Sequence, residues 1–243
     1  MPLVNVNDYA LNYEEVGTGT PLIYLAGTRF DSAKRRVPYM REQASGFRVI
    51  LPDPRGLAGS AHVSDVQPQD WVDDLAALLD ALSLPTVHVA AETLGSRIAT
   101  RFAAEYPNRV STLILNGTIA YSAPGGEAQR SSTLSEERRR DMESHHGPDW
   151  ETVNAFYLKL HSRPEFHEYY DLRKVAARVT APVLLMRGDI DDPVHPVMHT
   201  AELHALFPRS WLAIFPNTEF NALRGRPTEA WALIREFIGQ HGG

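Results

Sequence analysis

The sequence predicts an α/β fold, with a mostly parallel, eight-stranded sheet and helices on both of its faces. The clearest sign is the stretch 86–104, in which a Val-rich apolar run ends in an abrupt turn and gives way to helical spacing from Ser96. A second sign is that apolar runs typical of buried strands alternate with amphipathic segments along most of the chain. A third is the length of 243 residues, without an internal repeat or a separating linker, which predicts a single domain of residues 1–243.

Each predicted element depends on the spacing of its apolar residues or on residues that favour its ends. Residues 68–84 form the strongest amphipathic helix, because Trp71, Leu75 and Leu78 recur at helical spacing. The closing helix 227–238 begins with Pro227, a residue that helices accept in their first turn. The remaining predicted elements are strands at 3–6, 11–16, 21–26, 47–51, 86–90, 110–115, 182–186 and 211–215, the first two as an antiparallel hairpin, and helices at 96–106, 135–144, 149–160 and 197–206.

Composition narrows the classes of partner and chemistry. The net charge of −6 disfavours nucleic acid and anionic membranes as partners. The chain has no cysteine, which excludes disulfides, cysteine–zinc sites and a thiol nucleophile. No histidine pair has the spacing of a metal-binding helix, and we expect no metal and no cofactor. No apolar run approaches the length of a membrane span and the first residues show no signal peptide, so we expect a cytoplasmic protein.

Residues 121–178 interrupt the alternation of strands and helices and contain no strand candidate. We expect this region to be a helical cap, inserted over the carboxyl edge of the sheet where open α/β sheets bind ligands. Its aromatic residues Tyr121, Trp150 and Tyr157 would then line an apolar pocket for a small molecule. The plainer interpretation is that they pack as ordinary core residues.

The central turn carries a recognisable motif. Residues 91–95 (AETLG) occupy the slots of the G-x-S-x-G nucleophile elbow and resemble the α/β-hydrolase superfamily, with Thr93 in the place of the nucleophilic serine. Residues 53–60 (DPRGLAGS) are similar to that family's D-x-R-G-x-G-x-S turn. Asp191 falls on the slot of the acid and Phe220 on the slot of the catalytic histidine. The resemblance runs nearly end to end, is weakest in the cap, and implies an α/β-hydrolase fold with a degenerate triad.

The resemblance also implies which parts of a hydrolytic site would be present. Hydrolysis needs a hydroxyl nucleophile, a base that takes its proton, and two backbone N–H groups that hold the oxyanion. Thr93 would supply the hydroxyl, and Thr28 and Leu94 would supply the N–H groups. The base is missing, because Phe220 cannot accept a proton. Loss of a triad member typically lowers the rate by roughly 10⁴-fold.

The roles of the two remaining triad residues stay open at this point. Thr93 is interpreted as a nucleophile, as a residue that only fills the turn, or, the role we favour, as a hydrogen-bond donor to a ligand. Asp191 is interpreted as a general base whose pKa an apolar wall raises, or as a carboxylate held by N–H groups of its own loop.

Other polar residues near the same edge also have a functional and a plain interpretation. Arg29 would bind an anionic or carbonyl group of a ligand, or else lie at the surface near Asp31. Glu219, next to Phe220, would replace the lost base only if its side chain turned inward, and we expect it to point to solvent. His195 is expected at the surface, which leaves a histidine of the cap as the other substitute base.

Three functions are compatible with these residues. The first is a cofactor-independent enzyme that cyclises, rearranges or eliminates from an apolar small molecule, a type of reaction found in specialised metabolism. The second is an ester or lactone hydrolase that uses Thr93 with a base from elsewhere in the chain. The third is a ligand-binding protein without turnover. The oligomeric state stays open between a monomer and a homodimer.

Overall fold

The computed structural model describes residues 3–27, 29–122 and 134–242. Its central layer is an eight-stranded sheet. The strands are β1 (Leu3–Val6), β2 (Tyr9–Val16), β3 (Thr20–Leu25), β4 (Phe47–Pro52), β5 (Val87–Glu92), β6 (Val110–Asn116), β7 (Val183–Gly188) and β8 (Ser210–Phe215). The helices are α1 (Ala33–Gln43), α2 (Asp70–Ala81), α3 (Leu94–Glu105), α4 (Glu136–His146), α5 (Trp150–His161), α6 (Pro164–Tyr169), α7 (Val197–Leu206), α8 (Ala222–Gly225) and α9 (Pro227–His241), with short 3₁₀ turns at Pro107–Arg109, Leu172–Lys174 and Ala176–Arg178.

The order of the strands places β5 in the middle of the sheet. The order is β1-β2-β4-β3-β5-β6-β7-β8. β2 pairs antiparallel with both β1 and β4, whereas all pairings from β4 through β8 are parallel. Leu25 of β3 lies opposite Ala91, and Asn116 of β6 lies opposite Glu92, so the ends of three strands meet at one edge. The predicted mostly parallel, eight-stranded sheet with flanking helices is confirmed.

Two apolar layers cover the faces of the sheet. On one face α2 and α3 pack against the strands through fully buried side chains such as Leu78 and Phe102. On the other face α1 and α9 contribute Met40 and Trp231, which are also buried. Because helices cover both faces, the inner strands β3 to β7 are buried along nearly their whole length, which is why they read in the sequence as continuous apolar runs.

Helix α1 is the main element that the sequence did not predict. It contains Pro38 in its interior, and only Ala33, Arg36 and Met40 among its residues are buried. Such a helix has a weak apolar stripe, and proline disfavours a helix interior, so neither periodicity nor propensity identifies it. The Ser32 side chain caps its first turn by accepting a hydrogen bond from the backbone N–H of Arg35. The consequence for the site is that Arg36 points inward from this helix.

The region between β6 and β7 is helical where it is described. α4, α5 and α6 lie there, and residues 123–133 of the predicted cap lie outside the described residues. α4 begins after Ser135, whose side chain accepts a hydrogen bond from the Arg138 N–H, and it ends at Gly147 with φ +83°. In the part of the chain that the structure describes, no helix combines the length and the apolar character needed to cross a membrane.

Candidate active site

The turn between β5 and α3 holds Thr93 in a strained backbone conformation. Its φ is 50° and its ψ is −118°. A positive φ is an outlier for a β-branched residue, and such a conformation costs roughly 1–3 kcal/mol. The turn also packs closely against the end of β3, because a Cβ on Gly95 would lie 2.8 Å from the carbonyl oxygen of Ala26. The fold therefore stabilises a sharp, unfavourable turn at the centre of the sheet edge, as expected of a functional position.

The Thr93 hydroxyl faces the loop that follows β3. A Cβ added to Gly27 would lie 2.9 Å from Thr93 Oγ1, so only glycine leaves the hydroxyl its space. Among the described residues, no imidazole or carboxylate makes a hydrogen bond to this hydroxyl. Leu94 is the first residue of α3, where backbone N–H groups point away from the helix and the helix dipole favours negative charge. Thr28, the second predicted oxyanion-hole residue, lies outside the described residues.

A cavity of about 510 Å³ opens above this turn, a volume in the usual range for small-molecule sites. Thr93 and Leu94 form part of its wall at the sheet edge, and Tyr157 and His161 reach it from α5. The cavity therefore lies between the carboxyl edge of the sheet and helix α5. This is the position that parallel α/β sheets use for ligands.

An imidazole lies in this cavity directly on the ring of Phe220. The rings of His195 and Phe220 are stacked, with centroids 3.8 Å apart and planes within 6° of each other. His195 Nδ1 lies 3.3 Å from the Asp192 carboxylate, whose Oδ1 also accepts the backbone N–H groups of Val194 and His195. The expectation that His195 lies at the surface is wrong: its side chain is only 13% exposed. The turn from Asp192 to His195, held by these two backbone N–H bonds, places the imidazole ring in the cavity wall.

A buried ion network lies next to the turn that holds Thr93. Arg36 of α1 bonds both to Asp31 and to Glu92, the residue before Thr93. Asn221 Nδ2 donates to the second oxygen of the Glu92 carboxylate over 2.6 Å. Burial alone would lower the pKa of Arg36, but Tyr24 and the two carboxylates outweigh it and raise that pKa above its usual range. The guanidinium is therefore permanently charged and fixes Glu92 at the end of β5.

The sequence of this chain also matches a known protein family. Residues 35–170 match the model of a family described as the alpha/beta hydrolase fold, which is more than half of the chain. The chain belongs to the α/β-hydrolase family. The family's usual elbow, at the end of the central strand, is the turn that holds Thr93 here.

Several known α/β-hydrolases are similar to this chain. A 2-hydroxy-6-oxo-2,4-heptadienoate hydrolase of Pseudomonas putida is 30% identical over 115 residues, which cover 46% of this chain and 42% of that protein. The chain thus spans less than half the length of the first curated relatives that it matches. Serine hydrolase BPHL of Homo sapiens is 25% identical over 248 residues, covering 97% of this chain and 85% of that protein. A solved meta-cleavage product hydrolase from Pseudomonas fluorescens IP01 has a TM-score of 0.76 at 18% identity, covering 99% of this chain and 98% of that one, and supports the fold alone.

The cavity of this α/β-hydrolase contains five of the predicted site residues. These are Arg29, Thr93, Leu94, Tyr157 and Phe220. Phe220 packs tightly, since its Cδ2 lies 2.8 Å from where a Cβ on Gly117 would be. Gly117 has φ +59°, a conformation that glycine adopts without strain.

Two predicted carboxylates lie outside the described lining of the cavity. Asp191 is exposed, and its Oδ1 accepts the Val197 N–H at the start of α7 over 2.7 Å. This agrees with the plainer of its two interpretations, a carboxylate held by backbone N–H groups. Glu219 is exposed in a neighbouring surface groove, as its expected orientation toward solvent requires.

Two predicted aromatic residues also lie outside that lining. The Tyr121 ring packs against His199 with centroids 4.6 Å apart and planes tilted by 42°, and the Arg173 guanidinium lies 3.7 Å from the centre of the Tyr121 ring. Trp150 is the half-buried first residue of α5, more than one turn before Tyr157 on the same helix. Helical spacing indicated which residues share a face, but it did not indicate which end of the helix overlies the cavity.

Sequence analysis did not identify several polar residues of the cavity as site residues, and three of them show why. His195 was assigned to the surface, Arg97 lies inside the helix after the elbow, and Arg36 lies on the helix that was not predicted. A signal for Arg97 was its position four residues after Thr93, one helical turn further along α3, where a charged residue in an apolar helix is unusual.

One cap histidine holds the loop that follows β3. His146 Nδ1 accepts the Ala58 N–H over 2.9 Å, and its Nε2 lies 2.9 Å from the carbonyl oxygen of Arg29, to which it donates. Burial lowers the pKa of His146 to about 4, although the bond to the Arg29 carbonyl opposes this shift. The imidazole is therefore neutral near pH 7 and links α4 to the wall of the cavity.

The aspartate of the 53–60 turn has a structural environment. Asp53 accepts the Ala33 N–H at the start of α1, the Gly59 N–H and the amide of Asn12. Burial raises the pKa of Asp53 to about 6 in spite of these three donors. The carboxyl therefore ties α1 to the turn.

Proposed function

We propose that this α/β-hydrolase is a cofactor-independent enzyme that carries out a non-hydrolytic reaction on a small molecule bound in the cavity above Thr93. Cyclisation, elimination or rearrangement would suit the site, because none of these reactions needs an acyl-enzyme. The observation that carries the proposal is a Thr93 hydroxyl that no described imidazole contacts by a hydrogen bond. It is supported by Phe220, a residue without a proton acceptor, which the sequence resemblance places in the slot of the catalytic histidine.

The physical reason is the need for a base. A threonine hydroxyl has a pKa far above 7 and attacks a carbonyl only when a neighbouring group takes its proton. Phe220 cannot do so, and Asp191 bonds instead to the Val197 N–H outside the described lining of the cavity. In the proposed enzyme the Thr93 hydroxyl donates a hydrogen bond to the ligand, and the Leu94 N–H stabilises negative charge that develops on an oxygen of the ligand.

Proton transfer in this proposal falls to His195. The Asp192 carboxylate lies 3.3 Å from Nδ1 and favours the tautomer that carries its proton on that nitrogen. The stacked Phe220 ring fixes the plane of the imidazole. A fixed, carboxylate-oriented imidazole in a ligand cavity is an effective general base for a substrate proton.

A hydrolase of esters or lactones is the second candidate function. It is favoured by the relatives, several of which are named hydrolases, and by the position of His195 and Thr93 in the wall of one cavity. In that case a bound substrate would have to bring the imidazole and the hydroxyl into contact. A binding protein without turnover is the remaining outcome.

Hydrolysis of 4-nitrophenyl acetate and butyrate separates these functions. We expect the parent chain to show only slow release of nitrophenol, and Thr93→Ala to change that rate by less than about threefold, since the hydroxyl is not an activated nucleophile. The exposed Thr86 is outside the site, and Thr86→Ala serves as the matched control.

The opposite result would identify a hydrolase. Esterase turnover that falls about 100-fold or more in Thr93→Ala, but not in Thr86→Ala, would contradict the proposal. If Phe220→His alone gains that Thr93-dependent activity, the benzyl group is what blocks hydrolysis in the parent. Binding of ligands with no conversion of any of them would favour the protein without turnover.

A further inference from the structure

The charge of the cavity differs in sign from that of the whole chain. The chain carries a net charge of −6. The described lining of the cavity nevertheless contains more arginines than acidic residues: Arg29, Arg36, Arg97, Arg138 and Arg224 against Asp31 and Glu92. A concave, low-dielectric wall of one sign concentrates ligands of the opposite sign. Among the residues that the structure describes, the cavity lining therefore has an excess of positive charge that the chain as a whole does not have.

The two acidic residues do not neutralise this excess evenly. Both Asp31 and Glu92 bond to the same guanidinium, that of Arg36. Their negative charge is thereby held at one place, beneath the elbow. The positive charge of the other four arginines is distributed over α3, α4, α8 and the loop after β3.

Two of these arginines lie over the same aromatic ring. The guanidinium carbon of Arg29 is 5.0 Å from the centre of the Phe30 ring, and that of Arg138 is 4.5 Å from it. The two like charges are therefore less than 10 Å apart. Repulsion between them would be relieved by an anion that binds near both.

The position of Arg29 is fixed before any ligand arrives. Its Nε and Nη2 donate to Asn154 Oδ1 over 3.1 and 2.8 Å, and its guanidinium carbon lies 5.7 Å from the centre of the Tyr157 ring. The amide of Asn154 and the Tyr157 ring thus orient the guanidinium at the cavity wall. A preorganised guanidinium binds an oxyanion at a smaller entropy cost than a flexible one.

Arg97 supplies a second fixed charge, from α3. Its residue is 1% exposed, its Nε and Nη2 donate to the carbonyl oxygen of Tyr170, and its Nη1 donates to Ser122 Oγ. These contacts hold the guanidinium in place at the cavity wall, where its positive charge contributes to an attractive potential for anions.

The rest of the wall is apolar. Phe30, Ile119, Val194 and Phe220 are among the residues that line it. We infer that the cavity binds an apolar small molecule that carries an oxyanion, a carboxylate or a phosphate, and that Arg29 and Arg138 contact this group. The inference rests on the proposed function, because it names the class of ligand for the same cavity.

Calorimetric titration with three matched probes tests the inference. 1-Naphthoate and 1-naphthyl phosphate carry the oxyanion on the same apolar ring, and 1-naphthamide is the neutral analogue of the first. We expect at least one anion to bind about tenfold or more tightly than the amide, with an affinity that falls as KCl rises. The tighter anion identifies the group that the arginines recognise.

Variants of α4 supply the matched comparison. Arg138→Gln should weaken binding of the preferred anion about tenfold while leaving the amide unchanged. Arg139→Gln, at the next and equally exposed position of the same helix, should change neither affinity. Equal binding of the amide and both anions would overturn the inference and leave the cavity as a ligand site. Failure of all three probes to bind would overturn the inference and count against the proposed function as well.

Discussion

Replacing Arg36 by methionine is expected to lower the free energy of unfolding by about 3–5 kcal/mol, the largest loss that we predict for a single substitution. Arg36, Asp31 and Glu92 are all at least nine-tenths buried. Methionine fills much of the space but leaves two carboxylates close together without a cation. Breaking a buried ion pair on one side is costly, because the remaining charge can be neither solvated nor paired. Urea denaturation followed by circular dichroism measures the loss.

Two further variants make this expectation specific. Arg41 is exposed on the same helix, and Arg41→Met should change stability by no more than about 0.5 kcal/mol. The double variant Arg36→Met with Glu92→Gln should lose less than the sum of the two single losses, because it removes one of the orphaned charges. Equal stability of Arg36→Met and Arg41→Met would show that the buried network does not hold the elbow.

Gly188→Ala is expected to lower the free energy of unfolding by about 3 kcal/mol, the usual upper range for overpacking. Gly188 ends β7, and a Cβ at this position would overlap the carbonyl oxygens of Thr218 and Glu219. Both are backbone atoms and cannot rotate away as a side chain would. The loop that carries Phe220 would have to move, so ligand binding in the cavity should weaken together with stability.

Gly239→Ala is the matched control for this substitution. Gly239 lies within α9, where a Cβ would meet no atom within 4 Å. Alanine should raise stability there by about 0.5–1 kcal/mol, because glycine is a poor helix residue. Thermal melting of the two variants therefore should shift in opposite directions. A Gly188→Ala melting temperature equal to that of the parent would contradict the described approach of β7 to the Phe220 loop.

The sheet could be predicted because burial on both faces leaves a strong trace in the sequence. Apolar runs at β3, β5, β6 and β7 give their positions to within one or two residues. The turn at Thr93 could be placed because a buried strand changes within a few residues into an amphipathic helix. Local patterns of this kind determine the architecture when many of them agree.

The polar contents of the cavity were harder to predict, because they depend on contacts between distant parts of the chain. The His195 ring stacks on Phe220 from the loop that follows β7. In that loop the Asp192 carboxylate accepts the backbone N–H of His195. Arg36 reaches Glu92 across 56 positions of sequence from a helix with a weak apolar stripe. Periodicity carries no information on such pairs. Tyr121 and Trp150 illustrate the same limit, since their aromatic character predicts packing but not whether they reach the cavity.

Labelling with a fluorophosphonate tests most directly whether this scaffold still holds an activated nucleophile. The reagent phosphonylates a hydroxyl only when a base draws its proton away, so it reports on the base and the hydroxyl together and needs no knowledge of the substrate. The full chain would be incubated with the reagent and its intact mass measured, with an active serine esterase treated in parallel. We predict that the esterase gains one adduct and that this chain gains none. A stoichiometric adduct that maps to Thr93 and disappears in Thr93→Ala would contradict this prediction.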